Sequence, residues 1–166
     1  MAAAWIAAAL AGLAPPAAGS VAEPPVCTAS VIEEALIDAG KLTPEDVEGG
    51  EVVNLIRCGD VTDDGDSDAL FTLASGGTAG DIRFGVLRGG ADGSAADLAL
   101  FKPAYKVGVA RRNRRSFDVL QPHYGAGDPN CCPRSFRVRR YTWTGSRFKA
   151  GKAKKRQTAP ARFYRP

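Results

Sequence analysis

From position 51 onward the chain is a succession of short apolar runs, each closed by glycine, proline or asparagine, and this punctuation constrains the fold more than any motif. The runs fall at 51–58, 69–74, 81–87, 97–101, 104–110, 116–121, 135–144 and 147–149. Within 69–74, Leu70 and Thr72 alternate with Phe71 and Leu73, the period of two that belongs to a strand. Gly145 between the last two runs predicts a closing hairpin. Ahead of them the period changes. Val31, Ile32, Ala35, Leu36 and Ala39 recur at helical spacing, Ser30-Val31-Ile32-Glu33 fits a capping box, and Gly40 supplies the stop. A second short helix is expected at Thr43-Pro44-Glu45-Asp46, capped by Thr43 and ended by Gly49-Gly50. One or two N-terminal helices followed by about six to eight short strands predict an α+β domain with a predominantly antiparallel sheet.

The first residues set the compartment. Residues 1–18 carry no charge, Pro15-Pro16 follow the apolar stretch, and Ser20-Val21-Ala22 places small residues at both recognition positions of a signal peptidase. Segment 1–22 therefore reads as a secretory signal, although no Lys or Arg precedes the apolar run, and the stretch is short for a membrane span. A buried Ala-rich helix is the competing reading, and Pro15, Pro16 and Gly19 would stop it. The expected location is extracytoplasmic, periplasmic or secreted. Cys27 follows Pro24-Pro25-Val26, where lipoprotein processing requires small flexible residues, so no lipid anchor is expected.

Cysteine usage agrees. Cys27, Cys58, Cys131 and Cys132 form an even set, as disulfide-bonded exported chains have. Adjacent cysteines bridge each other only through a strained ring, so Cys131 and Cys132 are expected to pair outward with Cys27 and Cys58, in either order. Zinc is excluded by spacing, since there is no CxxC pair and one histidine, His123. A thiol hydrolase assembled from His123, Asp128 and Cys131 or Cys132 would need a free thiol, which export disfavours. No Gly-rich phosphate loop or nucleophile elbow appears. The chain is read as non-catalytic.

The densest chemistry lies in Cys58-Gly59-Asp60-Val61-Thr62-Asp63-Asp64-Gly65-Asp66-Ser67-Asp68. With Asp60 as position one, oxygen side chains fall at one, three, five and nine (Asp60, Thr62, Asp64, Asp68), and Gly65 sits where a sharp bend is needed. Asp66 would offer its backbone carbonyl, and Asp63 would point to solvent. This is a layout for wrapping Ca2+. Thr62 replaces a charged ligand, and Phe71 stands where an EF-hand has its bidentate Glu, so the motif is not an EF-hand. The alternative is a polar turn whose Asp side chains bond neighbouring amides.

The formal net charge of +4 hides an asymmetry, with acids gathered in 23–97 and bases from Lys102 onward. If 135–144 is a strand, Phe136 and Val138 face the core while Arg137, Arg139, Tyr141 and Trp143 share the other face. Arginines beside aromatics, together with the basic cluster Lys152–Arg156 of the tail, could bind an anionic envelope polymer such as teichoic acid, lipopolysaccharide or acidic polysaccharide. The alternative is an ordinary solvated face. A nucleic-acid partner is not expected of an exported chain. Segment 151–166 is basic, Pro-containing and nearly free of aliphatics, so it is expected to be a disordered tail following a single domain at 23–150.

Two stretches resemble known families. Gly59 to Leu70 resembles the Asp-x-Asn/Thr-x-Asp-Gly-x-x-Asp strand-loop-strand unit of FG-GAP/VCBS-type repeats. Gly127-Asp128-Pro129-Asn130-Cys131-Cys132-Pro133, followed by Tyr141-Thr142-Trp143-Thr144-Gly145, is similar to the corresponding region of LppP/LprE-type exported proteins. The second resemblance implies an envelope or extracellular location and no established enzymatic activity. The chain departs from that family in lacking an acceptable lipidation site.

Overall fold

The structure, a computed structural model, describes residues 25–165. The expected signal at 1–22 lies outside the described residues. The chain forms two antiparallel meanders stacked face to face. Strands β1 (Val52–Cys58), β2 (Ala69–Ala74), β3 (Asp81–Gly89) and β4 (Ala95–Pro103) make the first sheet in sequence order. Strands β5 (Gly108–Asn113), β6 (Ser116–His123), β7 (Ser135–Trp143) and β8 (Phe148–Ala150) make the second. A ninth strand, β9 (Lys154–Arg156), pairs with β7 as well. The fold is thus a β-rich α+β fold, with more strands than the sequence predicts and two sheets in place of one.

Alternation explains the layers. On β2, Leu70 faces the second sheet, in a core with Phe84, Val86, Val109, Phe117, Tyr141 and Trp143. Its neighbours Ala69, Phe71 and Leu73 face the other way and pack with Ile32 and Leu36 of helix α1 (Ala29–Asp38). Strand β2 is therefore buried on both faces, because both are covered. The outer face of the second sheet carries a smaller cluster, Ala110 and Leu120 under Phe163.

Local signals met mixed outcomes. Helix α2 (Pro44–Glu48) begins as expected, with Thr43 and Asp46 bonding each other's backbone N–H in a capping box. The capping box at Ser30 is corrected: α1 starts two residues earlier, Thr28 is its N-cap, and the Glu33 carboxylate accepts from the Val53 N–H at 3.0 Å. That bond ties the helix to β1 rather than closing its own first turn.

The expected disordered tail is also corrected. Segment 154–156 adds an edge to β7, a 3-10 turn follows at Ala161–Phe163, and Phe163 is 0 % exposed. Arg57 on β1 donates to the carbonyls of Arg162 and Arg165, holding the turn down.

Candidate cation-binding turn and its surroundings

The Asp-rich segment is the connection between β1 and β2. Gly59 N–H donates to the Asp68 carbonyl at 3.0 Å, closing the neck of the loop. Gly65 at φ 97 makes the bend that the sequence assigned to it. Asp68 is 0 % exposed, and its Oδ2 accepts from the amides of Val61 (2.8 Å) and Thr62 (3.0 Å) and from the Thr62 hydroxyl (3.0 Å). Its other oxygen accepts from Gly89 N–H at 3.3 Å, and a Cβ on Gly89 would lie 2.0 Å from the Ser67 carbonyl. Glycine on β3 is what lets the loop lie against the sheet.

Asp60, Asp64 and Asp68 converge, each offering a carboxylate oxygen, with these atoms within 4.8 Å of one another. Thr62 joins them through its hydroxyl bond to Asp68. The Asp66 side chain is not among the three converging carboxylates; its amide donates to Asp64 Oδ1 at 3.1 Å. Asp63 sits at φ 61, exposed, beside Arg114 and Arg115.

The electrostatics divide the three carboxyls. Burial pushes Asp68 above the ordinary aspartate value, with the charge of Asp64 adding to it and the hydrogen bonds from Val61 and Thr62 opposing. At Asp64 desolvation also pushes upward, but the Arg88 guanidinium and the Asp66 amide outweigh it and the carboxyl sits below its usual value. Arg88 donates to Asp64 at 2.9 Å and to Asp97 at 2.9 Å, and it lies 5.8 Å from the centre of the Trp143 ring. Arg114 donates to Asp60 Oδ2 at 2.9 Å. Sequence spacing found the carboxylates but missed both arginines, which arrive from β3 and from the β5–β6 turn. Each carboxylate oxygen has two lone pairs. Asp60 Oδ1 already accepts from the Thr62 and Asp63 amides and its Oδ2 from the Gly65 amide and Arg114. The room for a hard cation is therefore on Asp64 and Asp68 Oδ1, and on Asp60 once Arg114 is displaced.

The cysteine pairing is corrected. Cys27 pairs with Cys58, Cα atoms 5.6 Å apart, and Cys131 pairs with its neighbour Cys132. The first bridge fastens the segment before α1 to the end of β1, beside the Asp loop. The second keeps 131–132 in their own turn, where Asp128 accepts from the amides of Gly125 and Arg134. Asp128 is thereby a turn acceptor, and its carboxyl is held low by the Gly125 amide first among its partners. His123 instead has its Nε2 3.2 Å from an Arg137 nitrogen.

The proposed Arg/aromatic face is corrected in half. Arg137 and Arg139 are exposed, but Tyr141 and Trp143 are 7 % and 8 % exposed and pack with Phe117 and Phe148 between the sheets. Alternation holds along β7, but the faces are exchanged: Phe136 and Val138, expected to face the core, lie half-buried in the outer cluster with Leu120 and Phe163. The first sheet covers one end of that face and leaves the other bare.

No family model matches the chain, and neither a curated protein nor a solved structure does.

Proposed function

We propose that this chain is an extracytoplasmic, non-catalytic interaction domain whose β1–β2 turn takes a divalent cation, Ca2+ by its oxygen donors, as a stabilising ligand. The observation that carries the reading is the convergence of Asp60, Asp64 and Asp68 on one point, with the third carboxyl fully buried. Hard cations are held by such oxygen sets. One feature supports the compartment: all four cysteines are paired. The resemblance of the Gly127–Pro133 stretch to LppP/LprE-type exported proteins points the same way.

A bound cation would compete with Arg88 and Arg114 for Asp64 and Asp60, trading two arginine contacts for metal coordination. The test is a thermal melt of chain 23–166 in Ca2+ and in chelator. A rise in Tm with Ca2+ that Asp60→Ala and Asp64→Ala both abolish supports the site, since a ligand selective for the native state stabilises by mass action. Coincident melts for the unsubstituted chain would leave the loop a turn held by its own amides and arginines.

A further inference from the structure

We propose that the outer face of the second sheet is a binding cleft for phosphate-bearing anions, built around Asp118. The inference goes beyond the cation loop and does not rest on it. Residues directly opposite in an antiparallel ladder share a face. Ala110 lies opposite Asp118 and Asp118 opposite Arg140, while Leu120 lies opposite Val138, and Val138 opposite Lys154. One face of four strands thus has an apolar floor and a cationic rim. Phe163, buried onto that floor, carries Arg162 over it from the C-terminal turn.

The charges do not balance. Asp118 is 4 % exposed; its Oδ1 accepts from Arg140 Nε at 2.9 Å, and its Oδ2 lies 3.8 Å from Arg112 and 3.6 Å from Arg162. Lys154 and Arg156 line the same cleft, of about 430 Å3, and neither has an ion-pair partner among the described residues. Five cations therefore share a cleft with one carboxylate, three of them within ion-pair reach of it. The three guanidinium side chains are still 46–59 % exposed, so they keep N–H groups free to reach a ligand.

The geometry points to phosphate over carboxylate. Asp118 already supplies a planar pair of oxygens at the centre of the arginines. A further ligand must be met from several directions above that plane, which a tetrahedral phosphate with its terminal oxygens permits. Guanidinium groups recognise such oxygens through paired N–H donors. Arg112, Arg140 and Arg162 come from β5, β7 and the C-terminal turn, so no sequence run announces the cleft.

The experiment is a calorimetric titration of chain 23–166 with tripolyphosphate and with inorganic phosphate, in chelator so that calcium cannot bridge. Lys154→Gln with Arg156→Gln removes two exposed charges from the cleft. Arg137→Gln with Arg139→Gln removes two from the opposite face of β7. The expected result is saturable tripolyphosphate binding that the first pair weakens by at least about tenfold, the loss of roughly one charge-assisted contact. The second pair should leave it within about twofold. Arg162→Gln is an independent variant, with a melt to show that Phe163 still seats. Vesicles of phosphatidylglycerol assign the ester: capture that follows the same variant pattern identifies a lipid headgroup, and no capture identifies a soluble phosphate. Absence of saturation, equal losses in both double variants, or tighter binding of polygalacturonate would each overturn the proposal.

Discussion

Asp68 governs how the proposed cation site responds to acid. Burial raises its carboxyl, so the native chain takes up a proton there at a higher pH than the unfolded chain does. Asp64 is shifted the other way; its contribution is present above its unfolded value and is lost as pH falls through its lowered native one. On acidification a proton competes with Ca2+ for Asp68. The Ca2+-dependent rise in Tm should therefore begin to shrink, as pH falls, while still above the ordinary aspartate value of about 3.9, as melts across a pH series would read. The cysteines separate in the same residue-by-residue way. Cys27–Cys58 spans 31 residues, and replacing both by Ala should cost about 3–4 kcal/mol in urea unfolding, on a loop-entropy argument. Cys131–Cys132 closes no loop between elements, so Cys131→Ser with Cys132→Ser should cost under about 1 kcal/mol. The ligand spacing of the Asp loop was legible because it is local. Arg88 and Arg114 were not, because nothing in a linear pattern says which distant arginine a turn will meet.

At the scale of elements, the C-terminal segment and β7 carry the main lessons. Composition marks 151–166 as a tail, since its bases outnumber its apolar residues. Yet one aromatic in the right register is enough to dock it: Phe163 fills the floor between Ala110 and Leu120. Phe163→Ala should cost about 3 kcal/mol or more by urea denaturation, the usual loss for a buried phenylalanine, whereas a free tail would show no change. Strand β7 shows the limit of alternation. Period two correctly sorts Tyr141 and Trp143 from Phe136 and Val138, but it cannot say that both faces will be covered. Trp143 is the one tryptophan of chain 23–166. Its emission should be that of a buried indole, poorly quenched by acrylamide and unmoved by any anionic polymer. A large polymer-dependent change would restore the exposed-aromatic reading.

For the whole molecule, the strand pattern was legible almost run by run because glycine, proline and asparagine mark each end. The division into two sheets was not. The break falls at Ala104–Val107, between β4 and β5, and the sequence reads straight across it. A run that faces a second sheet and a run that faces a helix look alike when both are apolar, as on β2. Hydrogen exchange should resolve the layers. The slowest amides are expected in β2, β3 and β6, which are central in their sheets and covered on both faces, and the fastest in the three-residue β9.

The clasp from Arg57 to the carbonyls of Arg162 and Arg165 spans 105 and 108 residues of chain. A polypeptide emerging N-terminus first from a ribosome or a translocation channel can complete α1 and the whole first meander once residue 103 is out. The second meander, by contrast, has nothing to close its outer floor until 154–165 follow. Synthesis thus passes through a stage in which Leu120, Val138 and Ala110 line an open apolar trough. During that interval the trough is open to mispairing with a neighbour, as the inner face of the first meander is before the second sheet covers Leu70, Phe84 and Val86, and a holding chaperone would have a target at each stage.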